Sequence, residues 1–244
     1  MDEKILARLA AYKKTAWLPK VVNDDGTAFD SKFSGTPWLA KDEKWPTCVS
    51  CRQPMQLFLQ LNLEQSPPAI QQALGDMGLL QFFYCCSDDT AGHDESWEAF
   101  PTVPTRLLRI VEAETESTPY ELSENTAFFP VQRIVEWEEV TEYPSYVECT
   151  EHLALEFTEE EKASLEEWDE AHPLTYEGEK LGGWAYWVQY PEYPQCPRCK
   201  TNMQHLFQID SDKLLPHMWG DAGIGYISYC PNHPDEIAFL WQCY

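Results

Sequence analysis

Basic residues are scarce in this sequence. Lysine and arginine number 17 in 244 residues, against 41 aspartates and glutamates, and the formal charge at pH 7 is −24. A surface of that sign repels nucleic-acid phosphates and anionic lipids, so we expect no direct binding to nucleic acid or to a membrane surface. The same field attracts basic proteins. We therefore expect a basic protein partner, with solubility alone as the alternative purpose of the charge.

Long apolar runs are absent as well. No stretch approaches the roughly 20 apolar residues of a membrane-spanning helix, and acids follow Met1 where a signal peptide has a basic start. We expect a cytoplasmic protein. The nine cysteines are an odd number, and a reducing cytosol disfavours a disulfide framework. Metal binding or simple burial is thus the expected role of the cysteines.

The common catalytic motifs are missing too. The sequence contains no GxSxG, no P-loop, no HExxH and no glycine-rich dinucleotide turn. Every histidine except His233 stands alone in sequence, which is typical of a surface or packed residue. Only His217 and Asp221, on either side of Trp219, suggest the wall of a cleft. We expect a protein that is not an enzyme.

An internal repeat organises the residues that are present. At an offset of 148, Lys32–Gly35 aligns with Lys180–Gly183. Six identities continue in register, in which Pro46, Cys48, Cys51, Met55, Gln56 and Gln60 meet Pro194, Cys196, Cys199, Met203, Gln204 and Gln208. At an offset of 145, Gly75, Asp76, Gly78, Tyr84 and Cys85 meet Gly220, Asp221, Gly223, Tyr229 and Cys230. The chain is therefore interpreted as two copies of one unit.

This repeat predicts an α+β, sheet-rich fold, in which two pseudo-equivalent halves pack as one compact unit with a few flanking helices. We place an N-terminal helix and lead-in at residues 1–31, the first repeat half at 32–150, and an acidic helix with the second repeat half at 151–244. Strand composition is found at 55–63, 78–84, 106–111, 203–209 and 223–229.

Three helices are predicted outside these strands. Residues 2–14 have apolar side chains at helical spacing. Residues 66–75 begin with Ser66 as a helix N-cap and end at a glycine. Thr158 and Glu161 form a capping box before an acidic helix that reaches about Ala171.

The second half contains the pattern C-x2-C-x30-C-x2-H, formed by Cys196, Cys199, Cys230 and His233. Two close pairs of soft ligands let each loop present both donors on one side, and two such loops complete a tetrahedron around Zn²⁺. We predict a structural zinc ion here, with Cys243 as a reserve ligand if His233 faces solvent. Burial of four small side chains in an aromatic-rich core is the alternative.

The first half has a less regular set of cysteines. Cys48, Cys51 and Cys85 match the second half, but Asp88 stands in place of the histidine and Cys86 adjoins Cys85. Asp88 or Cys86 would complete a second site, so we expect one or two structural zinc ions per chain. A degenerate copy without metal is the alternative. A thioredoxin-type pair is disfavoured, because each CxxC precedes a strand-like run.

Several segments resemble the bacterial YwqG-like family, namely Ser31–Pro37, Trp45–Pro46, Pro54–Gln60 and Gly78–Phe83. The second half, through Lys180–Gly183 and Cys196–Cys199, is similar to the eukaryotic programmed cell death protein 2 and its ribosome-biogenesis relatives. The resemblance implies a duplicated, sheet-rich fold that binds other proteins. Eukaryotic members act as chaperones for a basic ribosomal protein, and bacterial relatives are associated with toxin systems as proposed immunity proteins.

The sequence departs from the bacterial pattern at Ser34, where glycine is commoner. We expect the change to be tolerated if the turn there is not left-handed. The cysteines also distinguish this chain from many YwqG-like proteins and bring it nearer to the zinc-bearing relatives.

Three functions are compatible with these observations. The leading hypothesis is a non-enzymatic acidic protein-binding module, an immunity protein that neutralises a cognate basic, nucleic-acid-targeting bacterial toxin. Charge supports it, since an acidic inhibitor mimics the field of the nucleic acid that such a toxin must hold. A chaperone of a basic ribosomal or RNA-binding protein is one alternative. An enzyme of unknown chemistry at a cleft between the two halves is the other.

Overall fold

The computed structural model describes residues 3–87, 102–113, 129–171 and 173–244. The helices in these ranges are α1 (Glu3–Leu9), α2 (Pro68–Leu74) and α3 (Glu159–Ala171). The strands are β1 (Lys14–Val22), β2 (Lys32–Phe33), β3 (Gln56–Asn62), β4 (Leu79–Tyr84), β5 (Thr102–Val103), β6 (Arg106–Val111), β7 (Gln132–Glu142), β8 (Lys180–Gly182), β9 (Gln204–Asp210), β10 (Ile224–Cys230) and β11 (His233–Gln242). Among these described residues, no helix has the length and apolar character needed to cross a membrane.

The strands form one eleven-stranded sheet in the order β11-β10-β9-β8-β1-β7-β2-β3-β4-β6-β5. Neighbouring strands pair antiparallel throughout the sheet. The sheet curls, which brings β11 into contact with β6 and sets the rings of Phe82 and Phe239 4.4 Å apart. The prediction of a sheet-rich fold with few helices is confirmed.

Two long strands at the centre join the two sides of the sheet. β1 and β7 pair along their whole length, with an irregularity between Lys20 and Val21. β8 then pairs with β1, and β2 pairs with β7. The sheet is continuous because of this central pair, which the sequence did not predict.

Gln60 and Gln208 make the same contacts on the two sides of the sheet. Gln60 lies opposite Lys32 and Gln208 lies opposite Lys180 across the strand ladders. Each glutamine amide donates to two loop carbonyls, and each side-chain oxygen accepts a backbone N–H at 3.0 Å. The offset of 148 residues in the sequence thus has a counterpart in the hydrogen bonds.

Both ladder lysines are completely buried, and each has a carboxylate partner. Lys32 Nζ donates to the Asp25 carboxylate at 2.7 Å and to three loop carbonyls. Lys180 Nζ donates to Glu142 Oε1 at 2.5 Å. A buried ammonium needs such a partner, because its desolvation is otherwise far too costly. The two carboxylates come from unrelated places, the loop before β2 and the end of β7.

The main hydrophobic core fills the inside of the curled sheet. Its largest members are the fully buried rings of Phe33, Phe58, Phe82, Phe207, Trp219 and Phe239. Smaller clusters surround Cys48 and Cys196. Another lies between α1 and α3 and includes the fully buried Cys149. Each fully buried leucine, isoleucine or phenylalanine side chain contributes about 1.5–3 kcal/mol through the hydrophobic effect.

The acidic helix begins as predicted, whereas the predicted start of α2 is wrong. Thr158 N–H donates to Glu161 Oε2 at 2.9 Å, and Glu161 N–H donates to Thr158 Oγ1 at 3.2 Å. The N-cap of α2 is Pro67 rather than Ser66. Ser66 follows directly on a 3₁₀ turn, and its hydroxyl donates to the carbonyl of Asn62 at 3.0 Å instead.

The turn at Ser34 is left-handed. Serine was expected to be tolerated in place of glycine here only if the turn were not left-handed, so that condition is not met. The φ of Ser34 is +58°, a conformation that costs a non-glycine residue about 1 kcal/mol. Ser34 Oγ donates to the carbonyl of Phe129 at 2.7 Å. This bond offsets the backbone strain and explains how serine occupies the position.

Candidate metal centres

In the second half, the CxxC segment forms a tight turn just before β9. Cys196 N–H donates to the Thr201 carbonyl, and Lys200 N–H donates to the Cys196 carbonyl, both at 2.9 Å. Lys200 closes the turn with a φ of +62°. The turn therefore presents the thiols of Cys196 and Cys199 on the same side.

The other two predicted ligands lie at the hairpin between β10 and β11. Cys230 is the last residue of β10, and His233 is the first residue of β11, directly opposite it. The hairpin faces the CxxC turn. Together these residues place three sulfur atoms and one imidazole nitrogen within 4.8 Å of one another.

The spacing of these atoms fits a tetrahedral zinc ion. Cys199 Sγ lies 3.6 Å from Cys230 Sγ. His233 Nδ1 lies 3.6 Å from Cys196 Sγ and 3.7 Å from Cys230 Sγ. Bonds of normal length in a tetrahedral zinc site separate two sulfurs by about 3.8 Å and a sulfur from a nitrogen by about 3.6 Å. The donor set and its geometry therefore agree with a Cys3His site.

Polar neighbours stabilise the thiolate that a metal requires. Thr201 Oγ1 lies 3.0 Å from Cys199 Sγ, and the Asn232 amide donates to the same sulfur at 3.8 Å. Hydrogen bonding from Thr201 lowers the pKa of Cys199 to about 5. The thiolate is the form that binds metal. Thr201 and Asn232 were not predicted as part of the site, although both stand within two residues of a predicted ligand.

The first half contains a similar group of three cysteines. Cys48 N–H donates to the Gln53 carbonyl at 2.9 Å, and Arg52 has a φ of +62°, as in the other turn. Cys51 Sγ lies 3.5 Å from Cys85 Sγ, and the three thiols lie within 4.8 Å of one another. Burial raises the pKa of Cys85 to about 12. A metal that binds here must therefore displace the proton of the Cys85 thiol.

Asp88 and Cys86 were the two residues predicted as a fourth ligand of this group. Asp88 lies outside the described residues. Cys86 turns away from the three cysteines, and its Sγ lies 3.6 Å from His217 Nδ1. Adjacent residues in an extended chain point to opposite sides, which explains why Cys85 and Cys86 diverge. In the second half, Cys243 lies beside Gly220 and outside the Cys3His group.

Trp219 lies in the aromatic core, and His217 packs against it. The His217 ring packs edge-on against Phe58 and Trp219, with ring centres 4.9 and 4.5 Å apart. Burial lowers the pKa of His217 to about 4. The backbone carbonyl of Asp221 accepts the N–H of Tyr244. That His217 and Asp221 line a cleft stays a prediction.

A family model described as a domain of unknown function (DUF1963) matches residues 31–233. The match extends from the residue before β2 to the first residue of β11 and includes both cysteine groups. No curated protein matches the chain significantly.

Proposed function

The chain belongs to the DUF1963 family, a domain of unknown function, and we propose its role from its own residues. We propose that it is a non-enzymatic protein-binding module that captures a basic protein. The observation that carries the proposal is the excess of 24 negative charges, part of which lies on two exposed surfaces. Each of these surfaces keeps an excess of glutamates after its own lysine is paired.

The first acidic surface lies along β7, where Glu136, Glu138 and Glu139 are all exposed. Because side chains alternate along a strand, Glu136 and Glu138 point to one face and Glu139 points to the other. Lys20 Nζ lies 3.7 Å from Glu136 and 3.6 Å from Glu138, so these exposed residues keep an excess of two negative charges. Like charges close together on a sheet are destabilising unless an opposite charge compensates them.

The second acidic surface is α3. Glu159, Glu160, Glu166 and Glu167 are exposed on this helix, and Lys162 lies 4.0 Å from Glu166. Fields of this kind raise the rate of encounter with an oppositely charged protein by about 10- to 1000-fold, and salt weakens the effect. They also discriminate against acidic partners.

We also propose that Zn²⁺ stabilises the scaffold behind these surfaces. Cys196, Cys199, Cys230 and His233 would hold one ion, and the group of Cys48, Cys51 and Cys85 would contribute to a second. The distances between the donor atoms support this assignment. In each case the metal would tie the turn before a strand to the end of its neighbour in the sheet, a structural role.

The two halves, residues 32–150 and 151–244, are proposed to be copies of one unit related to the YwqG-like proteins. The matching hydrogen bonds of Gln60 and Gln208 support this view, as do the two buried lysines opposite them. Each side would then contribute one cysteine group and one buried lysine to a common cytoplasmic protein.

The partner is proposed to be a cognate toxin that acts on nucleic acid, so that the chain serves as an immunity protein. Such a toxin needs a basic surface to hold phosphates, and an acidic module that covers this surface blocks the substrate. A chaperone of a basic ribosomal or RNA-binding protein would use the same electrostatics. The charge itself favours neither partner.

Deletion of the gene in its own organism separates these two roles. An immunity protein is needed only when its toxin is made, so the deletion strain should grow normally once the toxin gene is also removed. Ribosomal subunit profiles should be normal in both strains. Abnormal profiles that persist without the toxin gene would overturn immunity in favour of the chaperone. Normal growth and profiles in the single deletion, under conditions in which the toxin is made, would contradict both.

A further inference from the structure

A cavity of about 1170 Å³ opens between the end of β7, the helix α3 and the loop that precedes β8. Typical ligand sites in proteins have volumes of about 300–1000 Å³, so this space is large enough for a side chain together with part of its backbone.

Negative charge dominates the wall of the cavity. Five carboxylates line it, from Glu142, Glu166, Asp169, Glu177 and Glu179. Glu142 is neutralised by its ion pair with the buried Lys180. Among the remaining four, Glu166 pairs with Lys162, and burial raises the pKa of Glu179 to about 7. The lining contains one basic side chain, that of Lys213, against the carboxylates of Asp169 and Glu177 and the partly ionised Glu179. The net charge of the lining is therefore negative.

Aromatic rings provide the rest of the recognition chemistry. Tyr146, Tyr176 and Tyr186 line the same cavity, and Tyr176 is partly exposed to solvent. A flat cation stacks favourably on such rings, and a guanidinium does so better than an ammonium because it is planar and weakly hydrated. Carboxylates also match its paired N–H groups.

A buried carboxylate lies beside the cavity. Asp210 is only 4% exposed; its Oδ1 accepts the N–H of Ser211 at 2.7 Å, and its Oδ2 makes no hydrogen bond but forms an ion pair with Lys213 Nζ at 3.9 Å. The neighbouring Glu179 is 7% exposed and lines the cavity together with Lys213. The charge of Lys213 is thus shared between Asp210 and the carboxylates of the cavity wall.

We propose that this cavity receives an arginine side chain of the basic partner, with its guanidinium between the tyrosine rings and the carboxylates. The inference rests on the proposed function and names the part of the partner that is recognised. Arginine is favoured over lysine because its planar fork can stack and bridge two carboxylates at once.

The test is an NMR titration of the full-length protein with three short peptides. Each has one central residue, arginine, lysine or citrulline, between blocked glycines. Citrulline keeps the shape of arginine but has no charge. We expect the arginine peptide to bind about tenfold more tightly than the citrulline peptide, with the largest shifts at cavity residues. Equal affinity for arginine and citrulline, or equal affinity for arginine and lysine, would overturn the proposal.

Three variants localise the binding. Glu177→Gln removes a cavity charge and should weaken the arginine peptide about two- to fivefold. Glu64→Gln makes the same change on an exposed residue that neither lines the cavity nor belongs to the acidic surfaces of β7 and α3, and it should have no effect. Lys213→Met removes the competing cation and should strengthen binding. Equal weakening by Glu177→Gln and Glu64→Gln would show a general charge effect and contradict the assignment.

Capture of the partner and binding of the peptides test the proposed function and the cavity separately. If a basic partner is captured equally well by the wild type and by a Glu166→Gln/Glu177→Gln variant, the cavity is not the site, although the function stands. If no basic partner is captured but the peptide preference and the variant effects are observed, the cavity assignment stands and the proposed function falls.

Discussion

Replacement of Glu142 by glutamine should destabilise the fold far more than the matching change on the other side of the sheet. Glu142 is 2% exposed and provides the carboxylate partner of the fully buried Lys180. It also accepts the backbone N–H groups of Tyr176 and Trp184. Glutamine would leave the Lys180 ammonium without a counter-charge. Its amide would also place N–H donors opposite groups that are themselves donors. Breaking a buried pair in this way costs about 3–5 kcal/mol.

The matched control is Asp25→Asn. The Asp25 side chain is 40% exposed, and Lys32 keeps three carbonyl partners when the carboxylate is lost. We expect a loss of about 1–2 kcal/mol in this case. The Glu142→Gln/Lys180→Met double variant should recover much of the stability, because no buried charge is then left without a partner.

Urea titrations followed by tryptophan fluorescence, in zinc-containing buffer, measure these differences. The comparison is valid if the m-values agree among the variants. A Glu142→Gln variant that is no less stable than the Asp25→Asn variant would refute the reasoning. So would a double variant that is less stable than Glu142→Gln alone.

Three further predictions concern the metal groups and the pH dependence of stability. His233→Ala should lower the zinc content measured by elemental analysis by one ion per chain. Cys243→Ser should leave it unchanged, because Cys243 lies outside the Cys3His group. Equal losses of zinc in the two variants would contradict this prediction. Cys86→Ser should leave the zinc content unchanged, since Cys86 Sγ lies beside His217, and loss of an ion would place it among the ligands. Burial raises the pKa of Glu179 from 4.5 to about 7. The folded state thus binds this proton more tightly than the unfolded state, and stability should fall as pH rises through 7, by at most about 3 kcal/mol. Glu179→Gln, compared with the wild type in parallel urea titrations from pH 5 to 8, should show a smaller fall, and equal slopes would count against the assignment.

The strands next to the cysteine turns could be predicted because their sequences are locally informative. β3, β4, β9 and β10 are apolar runs bounded by turn residues, so strand composition alone identifies them. The capping box at Thr158 is equally local. The cysteine groups were also predictable, since ligand spacing reflects the reach of a tight turn.

The central strands could not be predicted in this way. β7 carries four glutamates in eleven residues, and β1 contains Pro19. Both features disfavour a strand by propensity. They are strands because each pairs with the other across more than 100 residues, a long-range interaction that no local pattern reveals.

The partner of the buried Lys180 was hidden for a related reason. In the first half, Asp25 stands seven residues before its lysine, but Glu142 stands 38 residues before Lys180, outside the aligned segment. The alignment matched the lysines and not their counter-ions. The cavity is built from β7, α3 and a loop, so its charges also converge only in the folded chain.

Affinity capture of the tagged protein from its own organism, at low and high salt with identification by mass spectrometry, tests most directly whether the chain captures a basic partner. We predict one basic protein in near-equal amount at low salt and a lower recovery at high salt, because screening weakens a charge-driven complex. A toxin-like protein would support immunity, and a ribosomal protein would support the chaperone role. The absence of any enriched basic protein at either salt concentration would contradict the proposed function.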